Sequence, residues 1–147
     1  MNKEDINNAD ALILSWLSYF NFADYLKSSS LKISAIEGEL SLSKKEMYQD
    51  AFMPKSSYQL FTCLQANPRF SSLTLSDFTN IKDEEKDEQF AAITICINPN
   101  LYFISFRGTD PSFLGWEEDF RLAYLPFTPS QIDGVSYVEK ELDKHPN

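Results

Sequence analysis

Acyl transfer by a serine needs a nucleophile on a sharp strand-to-helix turn, usually set as Gly-x-Ser-x-Gly. It also needs a histidine base, a carboxylate to orient that base, and amide donors for the oxyanion. The chain has four glycines, and none brackets a serine in this way. Gly134-Val135-Ser136-Tyr137 comes nearest, but it lacks the second small residue and falls in a stretch with helical spacing. The one histidine, His145, lies close to the last residue and reads as solvated rather than as a base. No Ser-His-Asp set can be assembled from these residues. Glu117, Glu118 and Asp119 supply carboxylates, yet three consecutive side chains diverge on any regular element and do not form a facing acid/base pair. The run Lys82-Asp83-Glu84-Glu85-Lys86-Asp87-Glu88 lacks the ordered Asp/Asn-x-Asp-x-Asp-Gly pattern of a calcium loop and reads as a solvated turn. Cys63 and Cys96 have no close spacing. They read as small buried apolar residues in a reducing compartment, not as a disulfide or metal ligands. Neither a metal nor a cofactor is expected.

The elements that would carry any chemistry centre on residues 90–106. Two apolar runs, Phe90-Ala91-Ala92-Ile93-Thr94-Ile95-Cys96-Ile97 and Leu101-Tyr102-Phe103-Ile104-Ser105-Phe106, have the β-branched and aromatic composition of strands. Asn98-Pro99-Asn100 joins them. Pro99 fixes φ near −65°, which excludes the tightest primed hairpin turns; the expectation is a slightly longer reversal with Asn100 in the left-handed region. Both runs are apolar on both faces, the pattern of strands covered by helices on either side. This predicts an α/β fold of three layers with the hairpin at its centre.

Flanking elements follow from periodicity. Ala9, Leu12, Ile13, Trp16, Leu17 and Phe20 mark one face of a helix over residues 8–22, capped by Asn7 or Asn8 with Asp10 in its first turn. Residues 27–40 read as a loop holding a short strand at 31–36. Ser43-Lys44-Lys45-Glu46 has capping-box spacing for a helix ending before Pro54. Ser56 or Ser57 opens another helix that buries Leu60, Phe61 and Leu64 and stops at Asn67-Pro68. Leu73 and Leu75 mark a short strand reaching Phe78. Ser130 caps a last helix whose inward positions are expected to be Ile132, Val135, Val138 and Leu142.

At 147 residues the chain fits one domain, residues 1–147, able to bury roughly two-thirds of its unfolded surface. Its 43% hydrophobic and 14% aromatic content describes a packed protein rather than a disordered one. The net charge of −9 opposes binding to nucleic acid or an anionic membrane surface, so nucleic acid is excluded as a partner. The apolar runs are shorter than the roughly 20 residues of a membrane span, and the N-terminus has no secretory pattern; a cytoplasmic location is expected.

Gln89-Phe90-Ala91-Ala92-Ile93, Phe106-Arg107-Gly108-Thr109-Asp110 and Gly115-Trp116-Glu117-Glu118-Asp119-Phe120 together closely resemble an uncharacterised bacterial family with a lipase-like α/β-hydrolase fold. That family is related to the class 3, fungal-type lipases. The similarity runs along nearly the whole chain, including Pro129-Ser130-Gln131 and Tyr137. It implies a partial α/β-hydrolase-like fold that lacks the C-terminal half, in which a nucleophile elbow would follow the last helix. It implies that Thr109, the residue after Arg107-Gly108, contributes to the oxyanion hole. A strand ending at Gly108 would let an amide and a hydroxyl point at one spot; the plainer reading is that Thr109 caps the following turn. Residues 110–118 match a lid, with Asp110 at its start, Phe113 and Leu114 as apolar contacts and Gly115 as hinge. The same residues could equally form a fixed turn packing Trp116 on the core. Asp119 resembles a buried polar tie from this segment to the strand end, and Arg107 reads as a structural ion-pair partner.

Two functions are therefore expected to compete. One is the amino-terminal part of a lipase-like serine ester hydrolase, inactive alone, that would meet an acyl ester or lipid once completed. The other is a non-catalytic association module, with an exposed sheet edge that pairs with a partner or another copy.

Overall fold

A computed structural model describes residues 6–26, 30–36, 47–48, 51, 53–83, 85, 88–108 and 126–146. The chain is mixed α/β. Its helices are α1 (Asn8–Trp16), α2 (Pro54–Ala66), α3 (Pro68–Ser71) and α4 (Pro129–Lys144). Its strands are β1 (Leu31–Lys32), β2 (Thr74–Asp83), β3 (Glu88–Asn98) and β4 (Leu101–Phe106), forming one antiparallel sheet in the order β1-β2-β3-β4. The expected hairpin is β3–β4. It is not wholly central: β3 is interior, whereas β4 is the last strand on its side among the described residues.

The reversal between them is tighter than the sequence predicts. Asn98 pairs with Leu101, leaving only Pro99 and Asn100 between, and Asn98 Oδ1 accepts from the Asn100 amide at 2.9 Å. Asn100 does not take a positive φ. An extra residue in β3 between Cys96 and Asn98 absorbs the twist that an unprimed two-residue turn cannot supply.

Helices cover both faces of the sheet. Ile93, Ile95 and Ile97 of β3 point to one side and pack with Leu14, Leu17, Phe20, Phe22, Phe61 and Leu64. Phe90 and Ala92 point to the other and pack with Tyr137 of α4.

α1 is shorter than the periodicity predicts; after Trp16 the chain tightens into a 3-10 turn, Leu17–Tyr19. Its buried face is also rotated. Asp10 and Leu14 are buried, while Ala9 and Leu12 face solvent. Asp10 explains the rotation. Asn7 and Asp10 form a reciprocal capping box, and Arg69 of α3 donates to Asp10 Oδ1 at 2.8 Å and Oδ2 at 2.6 Å. That bond and the Asn7 amide hold the Asp10 carboxyl down at about 2. A charge paired this way belongs inside, and it takes the apolar stripe round with it. Trp16 Nε1 donates to Ser57 Oγ at 2.9 Å, tying α1 to α2.

α2 opens at Pro54 rather than at a serine, because proline at the first helical position gives up an amide that has no partner there. Phe61 and Leu64 are buried as expected. The strand over 31–36 is reduced to two residues, followed by the 3-10 turn Ile33–Ala35. The capping box at residues 43–46 lies outside the described residues. β2 runs on to Asp83, so Lys82, Asp83 and Glu88 belong to strands rather than a turn, and Glu88 is buried.

β2 contains one residue more than its partner. Ser76 faces Thr94, but Thr79 faces Ala92, and Asp77 in the extra position takes φ 53°. Past this bulge the alternation is re-phased. Phe78 joins the core, edge-on to Phe22 at 5.9 Å, and Thr79 turns to the α4 side.

α4 is capped by Thr128, not Ser130, in a capping box with Gln131; Ser130 Oγ instead donates to the Gln89 carbonyl at 3.1 Å. Its inward residues are Tyr137 and Glu141. Ile132, Val135 and Leu142, expected inside, are 57%, 60% and 62% exposed, with Val138 half-buried. Both thiols are free; Cys63 is exposed and Cys96 half-buried, so neither is the buried residue the sequence suggests. Among the described residues no helix is long and apolar enough to cross a membrane.

Candidate functional site

The carboxyl end of β4 is where the motif Phe106-Arg107-Gly108 leaves the sheet. The Arg107 amide donates to the Ala91 carbonyl at 2.9 Å, carrying the ladder one residue past the strand. One partner of its guanidinium is Asn80 Oδ1 at 3.0 Å. Gly108 follows, exposed, with the Tyr19 hydroxyl over it. A Cβ at Gly108 would stand 3.1 Å from that oxygen, so any larger residue would make the tyrosine give by a few tenths of an ångström. α1 is held here by a second tie, Ser105 Oγ donating to the Ser15 carbonyl at 3.0 Å.

Apolar surface gathers round the same point. Leu12, Trp16, Tyr19 and Phe106 line a groove of about 270 Å³ on the α1 side. Phe106, Phe127, Ile132 and Val135 line another of about 950 Å³ on the α4 side, bounded by Arg107. Phe127 is 68% and Phe106 44% exposed. The Gly134 position lies close over Phe90 and Phe106, where a Cβ would be in ordinary contact at 3.8 and 3.9 Å.

Of the sequence-predicted site residues, Gly108 lies just past the carboxyl end of β4. Thr109, Asp110, Phe113, Leu114, Gly115, Trp116 and Asp119 lie outside the described residues. Ser136 is inside α4, where its hydroxyl donates to the Ile132 carbonyl at 3.0 Å. His145 is not simply solvated: its ring stacks on Tyr102 with centroids 3.9 Å apart and planes 18° from parallel. No cluster of His, Cys, Asp and Glu suited to a metal occurs among the described residues.

A polar assembly that periodicity does not announce ties the middle of β2 and β3 to α4. Thr94 Oγ1 and the Tyr137 hydroxyl are 2.8 Å apart, and Tyr137 donates to the Asp77 carbonyl at 2.8 Å. Lys144 bonds Asp77 and, at 3.0 Å, Glu141 Oε1. Burial pushes the Tyr137 hydroxyl well above the usual tyrosine range, so it stays a donor. Burial works against charge at Asp77 and Lys144 too. Their mutual bond and charges outweigh it only together with Ser76 and Lys140 at the aspartate and Glu141 at the lysine, lowering the one and raising the other. An aspartate in the middle of a strand pattern was the one available signal.

The model of a family described as Mbeg1-like matches residues 64–147. The chain belongs to the Mbeg1-like family. The match begins within α2 and takes in β2, β3, β4, Gly108 and α4, whereas α1 and β1 precede it. The Mbeg1-like region thus contains both ends of β4 and the helix that spans them. No curated protein and no solved structure matches the chain.

Proposed function

We propose that this chain is the amino-terminal part of a lipase-like serine ester hydrolase, supplying the oxyanion strand and lid-like segment to a nucleophile carried elsewhere. The observation that carries this reading is the arrangement at β4. Gly108 stands just past the carboxyl end of the strand, and α4 runs back over Phe90 toward Tyr102 at the strand's beginning. A strand–helix pair of this kind is two-thirds of a βαβ unit, and the missing third would lie against the outer edge of β4. Ile132, Val135 and Phe127 along that side would cover it. In this reading Thr109 presents its amide and hydroxyl to the oxyanion, residues 110–118 close over an acyl ester, and Asp119 ties the segment down. The location is cytoplasmic, in keeping with two free thiols.

The test is hydrolysis of p-nitrophenyl butyrate. The 147-residue chain shows no rate above background, and a product extended through a Gly-x-Ser-x-Gly elbow is active. Thr109→Val in the extended product lowers kcat by about 10²–10³. Turnover by the 147-residue chain itself would overturn the reading.

The exposed apolar band favours one second reading, a non-catalytic association module that pairs through the β4 edge with another copy. Sedimentation separates the two. A dimer dissociated by Ile132→Lys supports the module, and a monomer removes it.

A further inference from the structure

The bulge in β2 lines a second cleft, which meets β4 at Tyr102, near the start of that strand. Because Asp77 occupies an extra position, Thr79 is brought to the same face as Ser76. Those hydroxyls, the start of β4 and the last turn of α4 enclose about 620 Å³, within the range of roughly 300–1,000 Å³ typical of small-molecule sites. Unlike the grooves around Phe106, the cleft is lined chiefly by polar groups. One wall is aromatic, formed by Tyr102 and His145, whose rings stack on each other. Asp77, held in its left-handed conformation, is fixed at the rim by Lys144, and Lys140 stands one helical turn earlier on α4.

Charge narrows the ligand. Asp77 and Glu141 are balanced by Lys144 and Lys140, so these four groups offer no net charge to hold an ion. An anion would also face the carbonyl end of α4 and a chain carrying −9. A cation would meet the Lys140 ammonium. What remains unspent is hydrogen-bonding capacity and an aromatic surface.

We infer that this cleft binds a neutral, hydroxyl-rich small molecule of monosaccharide size. Its ring lies against the His145–Tyr102 wall, and its hydroxyls are shared among Ser76, Thr79, Asp77 and Lys140. The site does not depend on the hydrolase reading, since it shares no lining residue with the grooves around Phe106.

Titration of the isotope-labelled chain with glucose and galactose, followed by amide NMR, tests it. The expected result is saturable shifts at Thr79, Tyr102 and His145 with Kd of about 1 mM for one of the sugars. Thr79→Val, which keeps the shape and removes the hydroxyl, and Lys140→Gln, at an exposed position, each weaken binding about tenfold. Unchanged thermal midpoints show that both variants remain folded. The inference is overturned if neither sugar gives saturable shifts, or if the shifts centre on Phe106. It is equally overturned if neither substitution weakens binding, or if inorganic phosphate occupies the same residues more tightly than either sugar.

Discussion

The two faces of the sheet are finished to different degrees. Toward α1 and α2, β3 sends Ile93, Ile95 and Ile97 into a cluster with Leu14, Phe20, Phe22 and Phe61, all of them buried. The three phenylalanines pack at ring distances of 5.4 to 5.9 Å. Toward α4 the buried cluster is smaller, Phe90, Ala92 and Tyr137 with Ile81, Ile104 and Phe106 beside them, and the polar groups Thr94, Asp77, Glu141 and Lys144 share the interface. One face is held by apolar burial and the other by directed bonds to a single helix. The difference teaches that α4 is positioned more than it is stabilised, which suits a helix flanked by open grooves at both ends.

The largest test of this contrast is Phe61→Ala. It cuts a fully buried ring from the apolar side and should lower the unfolding free energy by about 3–5 kcal/mol in urea titrations. A loss as small as a surface substitution would show that this side is not the main core. Tyr137→Phe probes the other face. It leaves the ring but strips the bond to the Asp77 carbonyl and the partner of buried Thr94, so a loss of about 1–3 kcal/mol is expected, with NMR shifts confined to β2 and α4. Acid titration reaches the α1 side through Asp10. Its folded pKa of about 2 lies below the usual 3.8, so its contribution is complete above about pH 4 and is lost as the pH falls through about 2. The expected loss is on the order of 1–2 kcal/mol, reduced by the solvent exposure of Arg69, and Asp10→Asn should flatten that part of the profile. The smallest effect has the opposite sign. Gly134→Ala meets only ordinary contacts with Phe90 and Phe106 and should raise the thermal midpoint, by a gain of about 0.5–1 kcal/mol. A destabilised Gly134→Ala protein would mean that the α4 face is packed as tightly as its opposite.

Much of the frame was legible in the residues. Two-sided apolar runs announced β3 and β4 and the helices over both faces, and Phe61 and Leu64 marked the inner side of α2. Burial was misread wherever a polar bond outranked hydropathy. Asp10 turned α1 by pairing with Arg69, and Tyr137 turned α4 by reaching Asp77, so Leu12, Ile132, Val135 and Leu142 finished outside. Periodicity sees which residues dislike water, but not which polar groups have distant partners, 59 and 60 residues away in these two cases. Pro54 and Thr128 displaced the expected serine caps for a local reason, since both helices accept a proline as their first residue. The candidate site was legible only as the strand end at Gly108. The Tyr19 hydroxyl above it comes from an element 89 positions earlier, which no local pattern connects to it.

The one surplus amino acid in β2 has a consequence for anyone who edits this protein. Deleting Asp77 would set Phe78 opposite Ile93 and keep Thr79 opposite Ala92, so the later side chains of that strand would hold their sides. What would go is the carbonyl that receives Tyr137 and the carboxylate that receives Lys144, two moorings of α4. Here a single added residue, more than the composition of the strand, decides how that helix is anchored.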